Sequence, residues 1–159
     1  FGQSANTLYG YNTETTESGL RTMSVDATGV TVLDVTQNLI QSSSADIEFS
    51  DGYLYSSNGR VIDAATRILD GTFAINSFGA LVEPDAAAGR VFFLEAVDFN
   101  TSWQLKAFNS GTLGLINSEP VSNVKGFPSS LIRWGSHGLA FRTSEKQIFL
   151  VTTALVQKF

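Results

Sequence analysis

The sequence has no cysteine, one histidine, one methionine and three prolines in 159 residues. The missing thiols exclude disulfides, Cys-ligated zinc, iron–sulfur clusters and a Cys-attached haem within the chain. They leave the compartment open, because exported and cytosolic proteins can both lack cysteine. Charge is also sparse: charged residues make up 16%, with 10 Lys and Arg against 15 Asp and Glu, a net charge of −5 and a pI of about 4.7. The basic residues are scattered, so the clustered cationic footprint of a phosphate-binding surface is missing and no nucleic-acid partner is expected. No apolar run approaches the roughly 18 residues of a membrane helix, so no membrane insertion is expected. No signal-peptide pattern is present. The chain opens on Phe1 and not on Met, which suggests a processed product or a part of something longer.

Helix signals are equally scarce. Stretches with 3.6-residue apolar spacing are short and are broken by Gly, Asn, Ser or β-branched residues. Strand signals are frequent instead: short runs rich in Val, Ile, Leu, Phe, Tyr and Thr alternate with Gly/Asn/Ser/Asp clusters. Hydrophobic residues reach 43%, enough for one domain with a sizeable core. The strand-like runs repeat. Thr7–Tyr11, Tyr53–Ser57, Arg90–Leu94 and Gly138–Arg142 resemble one another, and Tyr9, Tyr55, Phe93 and Phe141 lie 46, 38 and 48 residues apart. A period of about 40–50 residues holding four short strands is that of a β-propeller blade. The fold class read from this is all-β, with about four blades of four-stranded antiparallel sheet. Their spans are about 1–44, 45–79, 80–125 and 126–159, forming a single propeller segment. Blade 1 has only Phe1-Gly2 for its opening strand, and blade 4 has only Ala154–Phe159 for its last. Asn58-Gly59, Thr28-Gly29 and Ser110-Gly111 sit where hairpin turns need left-handed backbone.

Tyr53-Leu54-Tyr55-Ser56-Ser57-Asn58, followed by Gly59-Arg60-Val61-Ile62-Asp63 and Thr66, resembles the YVTN-type repeat of bacterial seven-bladed β-propellers. The match is good in blade 2, partial in blade 1 at Val25-Asp26-Ala27-Thr28-Gly29, degenerate in blade 3 at Phe108-Asn109-Ser110-Gly111, and nearly absent in blade 4. Seven blades need roughly twice this length, so the chain resembles the C-terminal half of such a propeller. The resemblance implies an extracellular, periplasmic or cell-surface setting. It names no activity, because the propeller hosts many.

Residues that could carry chemistry are few. Asp63 and Thr66 read as a turn, the carboxylate accepting backbone N–H bonds. His137, in Trp134-Gly135-Ser136-His137-Gly138, has no spaced partner for a metal site, and no Gly-x-Ser-x-Gly elbow supports a catalytic triad. Phosphate-binding glycine loops and Asp-rich calcium loops are missing. No metal, no other cofactor and no catalytic residue is assigned. Glu14 and Glu17 fall in a polar loop, Asp98 follows a strand, and Trp103 reads as a packing residue. In a propeller the ends of inner strands face the axial funnel. Glu83, Asp85, Arg133 and Trp134, with His137 beside them, are therefore the ligand-binding candidates. Packing and loop capping are the structural alternative for the same residues.

These features favour a non-enzymatic binding or scaffold module that associates with itself or with the missing propeller half, with a protein or glycan as a further ligand. The alternatives are a fragment of a lactonase or quinone-dependent dehydrogenase, or a lectin. An isolated arc is expected to expose part of the Leu8, Leu20 and Val32 set at one end and of the Leu139, Phe141 and Phe149 set at the other.

Overall fold

The structure is a computed structural model that describes residues 1–12, 17–42, 44–76, 80–98 and 102–157. The chain is all-β: four antiparallel meander sheets of three or four strands, the form of propeller blades, with one 3₁₀ turn and no α-helix among the described residues. It divides into two compact units, Phe1–Thr72 and Phe73–Phe159, each holding two sheets.

In the first unit, β1 (Thr7–Tyr11), β2 (Gly19–Asp26) and β3 (Gly29–Gln37) form the first sheet. The second is built from β4 (Ile47–Ser50), β5 (Tyr53–Ser56), β6 (Arg60–Asp63) and β7 (Ile68–Thr72). Leu20, Ile40, Leu54, Ile62 and Ala64 make the buried core between them, with Tyr9, Tyr11 and Phe49 packed against it. Tyr9 stacks on Phe49 at 5.6 Å. The segment joining the two sheets is pinned by polar side chains. Asn58 Nδ2 donates to Ile40 O at 2.6 Å, and Arg60 Nη1 donates to Leu39 O at 2.6 Å. Tyr11 donates its hydroxyl proton to Ser42 O at 2.7 Å. These contacts satisfy carbonyls that no strand pairs, which lets Ile40 sink fully into the core.

The second unit holds β8 (Ala80–Asp85), β9 (Arg90–Ala96), β10 (Trp103–Asn109) and β11 (Leu115–Val121) as the third sheet. The fourth has β12 (Pro128–Trp134), β13 (Gly138–Thr143) and β14 (Ile148–Val151). Phe92, Leu94, Leu105 and Ala107 face Leu131, Leu139 and Phe141 across a common core. Phe141 and Phe149 stack in parallel at 4.6 Å. On the other face of the third sheet Phe73, Phe93 and Phe108 pack ring to ring at 5.1–5.7 Å. β9 is buried from Val91 to Ala96, so its apolar residues run without alternation, as a strand covered on both faces requires.

The turns follow one chemical rule. At the end of β2, β6 and β10 stands Asp26, Asp63 or Asn109, whose side-chain oxygen gathers the N–H groups that follow. Asp63 Oδ1 accepts from Ala65 N at 2.9 Å and Thr66 N at 2.7 Å. Asp26 Oδ1 takes the N–H and hydroxyl of Thr28 at 2.7 and 2.6 Å. Asn109 Oδ1 takes Gly111 N, Thr112 N and the Thr112 hydroxyl at 3.0, 2.8 and 3.1 Å. The repeat's Asp-x-x-Thr element is thus an Asx turn that sends the chain back as an outer strand. A β-bulge separates each of these outer strands from its neighbour, at Thr22/Met23, Val61/Ile62 and Ala107/Phe108. Gly59 has a φ of 90°, and Gly59 N donates to Ser56 O at 2.8 Å. Asn58 keeps negative φ, so Ser57-Asn58-Gly59 is a three-residue turn closed by a left-handed glycine and not a two-residue Asn-Gly turn.

The terminal sheets are each one strand short, as the sequence suggested. Residues 154–157 do not form a strand: they turn inward and bury Leu155 and Val156 in the core shared with the third sheet. The exposed faces match expectation at Leu8 and Val32 and differ from it at Leu20, Leu139, Phe141 and Phe149. Leu20 is 1% exposed and faces the second sheet, whereas Leu8, Met23 and Val32 are paired across the first sheet's open face, with Val25 and Val30 beside them. In the fourth sheet Leu139 and Phe141 are buried and Phe149 packs against the same core; the open face carries Ile132, Trp134, Ile148 and Leu150. A strand's two faces alternate, so shifting the inward set by one residue exchanges them completely.

Candidate functional site

Three of the five sequence candidates come together where β8 meets β12. Arg133 Nε forms an ion pair with Asp85 Oδ2 at 3.1 Å, and the Arg133 backbone N–H donates to Glu83 Oε1 at 2.9 Å. The remaining guanidinium nitrogens donate to backbone carbonyls: Nη1 to Val156 O at 3.2 Å and Nη2 to Ser136 O at 2.8 Å. The guanidinium carbon lies 5.6 Å from the Phe92 ring centroid. Asp85 is engaged on its second oxygen too, where Oδ1 accepts from Ala88 N at 3.0 Å and caps the 3₁₀ turn Ala86–Ala88. The Asp85 and Arg133 side chains are 11% and 18% exposed, which reduces solvent screening of the pair.

Every nitrogen of the Arg133 guanidinium therefore holds protein. The cluster joins the inner strands of two sheets and, through Val156, the inward-turned residues 154–157. Arg90 repeats the device, with Nη1 donating to Leu155 O at 2.8 Å and Gln157 O at 3.0 Å. Trp134 and His137 stand apart from the cluster. Trp134 follows Arg133 on β12 and so points to the opposite, open face, where its ring covers Gly138. A Cβ built at Gly138 would lie 2.9 Å from Trp134 Cε3, so glycine is what lets the indole lie flat on the sheet. His137 is exposed in the turn between β12 and β13.

Glu95 is a residue that the sequence reading passed over. It is fully buried on β9, ion-paired with Lys106 Nζ. Its oxygens also accept from Gln104 Nε2 at 2.6 Å and Asn76 N at 2.7 Å. A single Glu inside Phe92-Phe93-Leu94-Glu95-Ala96 was the available signal, with Gln104 and Lys106 on one face of the next strand. Both oxygens are bonded, so the network fixes the approach to β8 and is not an open site. Of the other acidic candidates, Glu17 pairs with Arg21, and Asp98 accepts Ser102 N at 2.9 Å. Glu14 lies outside the described residues. Hydrogen bonds from Thr66, first from its backbone and then from its hydroxyl, hold Asp63 below the ordinary carboxylate range; Thr28 does the same for Asp26, hydroxyl first.

Among the described residues no three His, Asp or Glu side chains converge on a point that could hold a metal ion. Trp103 is 7% exposed and packs in the core, its Nε1 without a hydrogen-bond partner. Two shallow grooves of about 340 and 330 Å³ flank β11. The second runs between β11 and β14 over Leu105, Pro120, Val121, Phe149 and Val151. No protein-family model matches the chain, and no curated protein matches it.

Proposed function

We propose that the chain is a non-enzymatic binding and scaffolding module of propeller-type blades, which assembles by laying its open sheet faces against another copy or another propeller half. The observation that carries this is the pair of uncovered apolar faces on the two three-stranded sheets. Val30 and Val32 are 57% and 50% exposed on the first sheet; Ile132, Trp134, Ile148 and Leu150 are 52–80% exposed on the fourth. Soluble proteins seldom leave contiguous apolar patches of this kind in water. A blade gains its stability by stacking on a neighbour, and each of these sheets already stacks on one. The same chain carries both faces, so copies can meet head to tail. The engagement of Glu83, Asp85 and Arg133 in joining β8 to β12 supports the non-catalytic reading. The resemblance to YVTN-type repeats supports an exported or cell-surface setting for the module and half of a seven-bladed ring as its place.

Light scattering on the purified chain tests the assembly. The expected mass exceeds 17.1 kDa at micromolar concentration. Trp134→Lys or Val32→Lys, both on open faces, is expected to return it to the monomer with an unchanged circular dichroism spectrum. A well-folded monomer at that concentration overturns the assembly reading.

A further inference from the structure

Among the described residues eight strands lie at sheet edges: β1, β3, β4, β7, β8, β11, β12 and β14. Natural sheets protect such edges with charged residues or proline, which oppose pairing with a foreign strand. Six of the eight follow this rule, through Asp34, Glu48, Asp70, Glu83 with Pro84, Glu119 with Pro120, and Pro128 with Arg133. The two exceptions are β1, Thr-Leu-Tyr-Gly-Tyr, and β14, Ile-Phe-Leu-Val. Those are the edges where the first and fourth sheets are one strand short of the second and third.

At β14 a second feature coincides with the bare edge. The groove of about 330 Å³ between β11 and β14 is lined by Leu105, Val121, Phe149 and Val151 together with polar residues that include Glu119 and Thr153. In the third sheet β10 is followed outward by β11. A strand placed outside β14 would take the same position in the fourth sheet, with every second side chain entering this groove. None of the described residues fills the place. After β14, Thr153 O accepts from Val156 N and Gln157 N, and Arg90 and Arg133 hold the following residues in the core. The main-chain groups needed for pairing also point the right way. Thr143 N donates to Gln147 O at 3.0 Å, which marks that pair as hydrogen-bonded. Bonding alternates along an antiparallel pair, so Phe149 and Val151 bond to β13, and Ile148 and Leu150 direct N–H and C=O outward.

We propose that the outer edge of β14 receives an extended segment of another polypeptide, added antiparallel as the fourth strand of this sheet, with apolar side chains at alternate positions for the groove. Main-chain bonds to Ile148 and Leu150 give affinity, and the groove selects the side chains. This rests on the binding-module reading and names its partner class. The open face uses the side chains of Ile148 and Leu150 and the edge uses their main-chain groups, whereas Trp134 belongs to the open face alone, so either reading can fail by itself.

The test uses eight-residue peptides with Val, Leu or Phe at alternate positions, Thr elsewhere and a terminal Lys, followed by fluorescence anisotropy. Saturable binding is expected for at least one of the three, with slowed amide exchange at Ile148 and Leu150. Leu150→Pro removes an outward N–H and is expected to weaken binding at least tenfold, as is Leu150→Lys, which keeps the backbone intact and carries its charge on an exposed side chain. A peptide N-methylated at its bonding positions is expected not to bind. The proposal is overturned if none of the three saturates, if both variants bind normally, or if protection appears only elsewhere. Trp134→Lys separates the two readings: it is expected to abolish self-association while leaving peptide affinity within twofold. Loss of self-association in the wild type with peptide binding intact would refute the assembly reading and leave this one standing.

Discussion

In the third sheet the chain leaves β10 through Asn109, whose side-chain oxygen gathers three donors, and returns as β11. In the fourth it leaves β14 through Thr152 and Thr153, finds no Asx side chain to organise the turn, and drops into the core as Leu155 and Val156. The two sheets share one core and the same antiparallel meander. The two sheets thus differ in local chemistry at the end of the third strand, and in the fourth the residues that follow are held in the shared core. An Asx turn supplies partners to N–H groups that the reversing chain would otherwise leave bare, and without it burial of two apolar residues decides the path.

Breaking the shared core should have the largest effect. Phe92 is fully buried between the two sheets. Phe92→Ala is expected to destabilise by about 3–5 kcal/mol, read from the urea midpoint, through lost transfer energy and the cavity left behind. A loss under about 1 kcal/mol would show that the sheets do not depend on this contact.

Next comes the hairpin inside the second sheet. Gly59→Val forces a β-branched residue to a φ of 90°, and a loss of about 1–3 kcal/mol is expected. An unchanged melting temperature would contradict the turn geometry. Asn109→Ala tests the comparison most directly. It removes the three bonds that set up β11, and about 0.5–1.5 kcal/mol should be lost. The equivalent change at Thr152→Ala should cost nothing measurable.

The smallest effect concerns pH. The folded value of Asp63 lies below its unfolded value, so its ionised form binds the turn better. Its contribution is complete above the ordinary carboxylate range and is lost as pH falls through that range toward the folded value. Asp63→Asn keeps the acceptor and lacks the titration. The stability difference between wild type and variant is therefore expected to shrink between about pH 5 and pH 2, measured by urea denaturation at each pH. A difference that grows on acidification would reverse the assigned direction.

Much of the fold was legible because it is written in local chemistry. Strand segments showed as β-branched and aromatic runs: Thr7–Tyr11 appears with the bounds read from sequence, and Tyr53–Ser56, Arg90–Ala96 and Gly138–Thr143 start where the runs do and end within two residues of them. The Asp63–Thr66 turn and the positive φ of Gly59 were also readable, since both depend on neighbours within a few residues. The candidate cluster was legible in part. Glu83, Asp85 and Arg133 lie on inner strands and meet there. Trp134 left the group because adjacent residues on β12 point to opposite faces.

What the sequence determined by itself is the all-β class, the period of the sheets and the chemistry of the turns. These rest on backbone preference and on interactions between near neighbours. The tertiary structure alone decided which face of each terminal sheet is buried, since both faces of β14 are apolar and only packing on the third sheet selects Phe149 and Val151 over Ile148 and Leu150. It also decided that residues 154–157 plug the core, because Arg90 and Arg133, 65 and 23 residues away from the carbonyls of Leu155 and Val156, hold them there. Long-range burial and charge-assisted hydrogen bonds leave no trace in local spacing, and those were the forces that set the open faces and the bare edge.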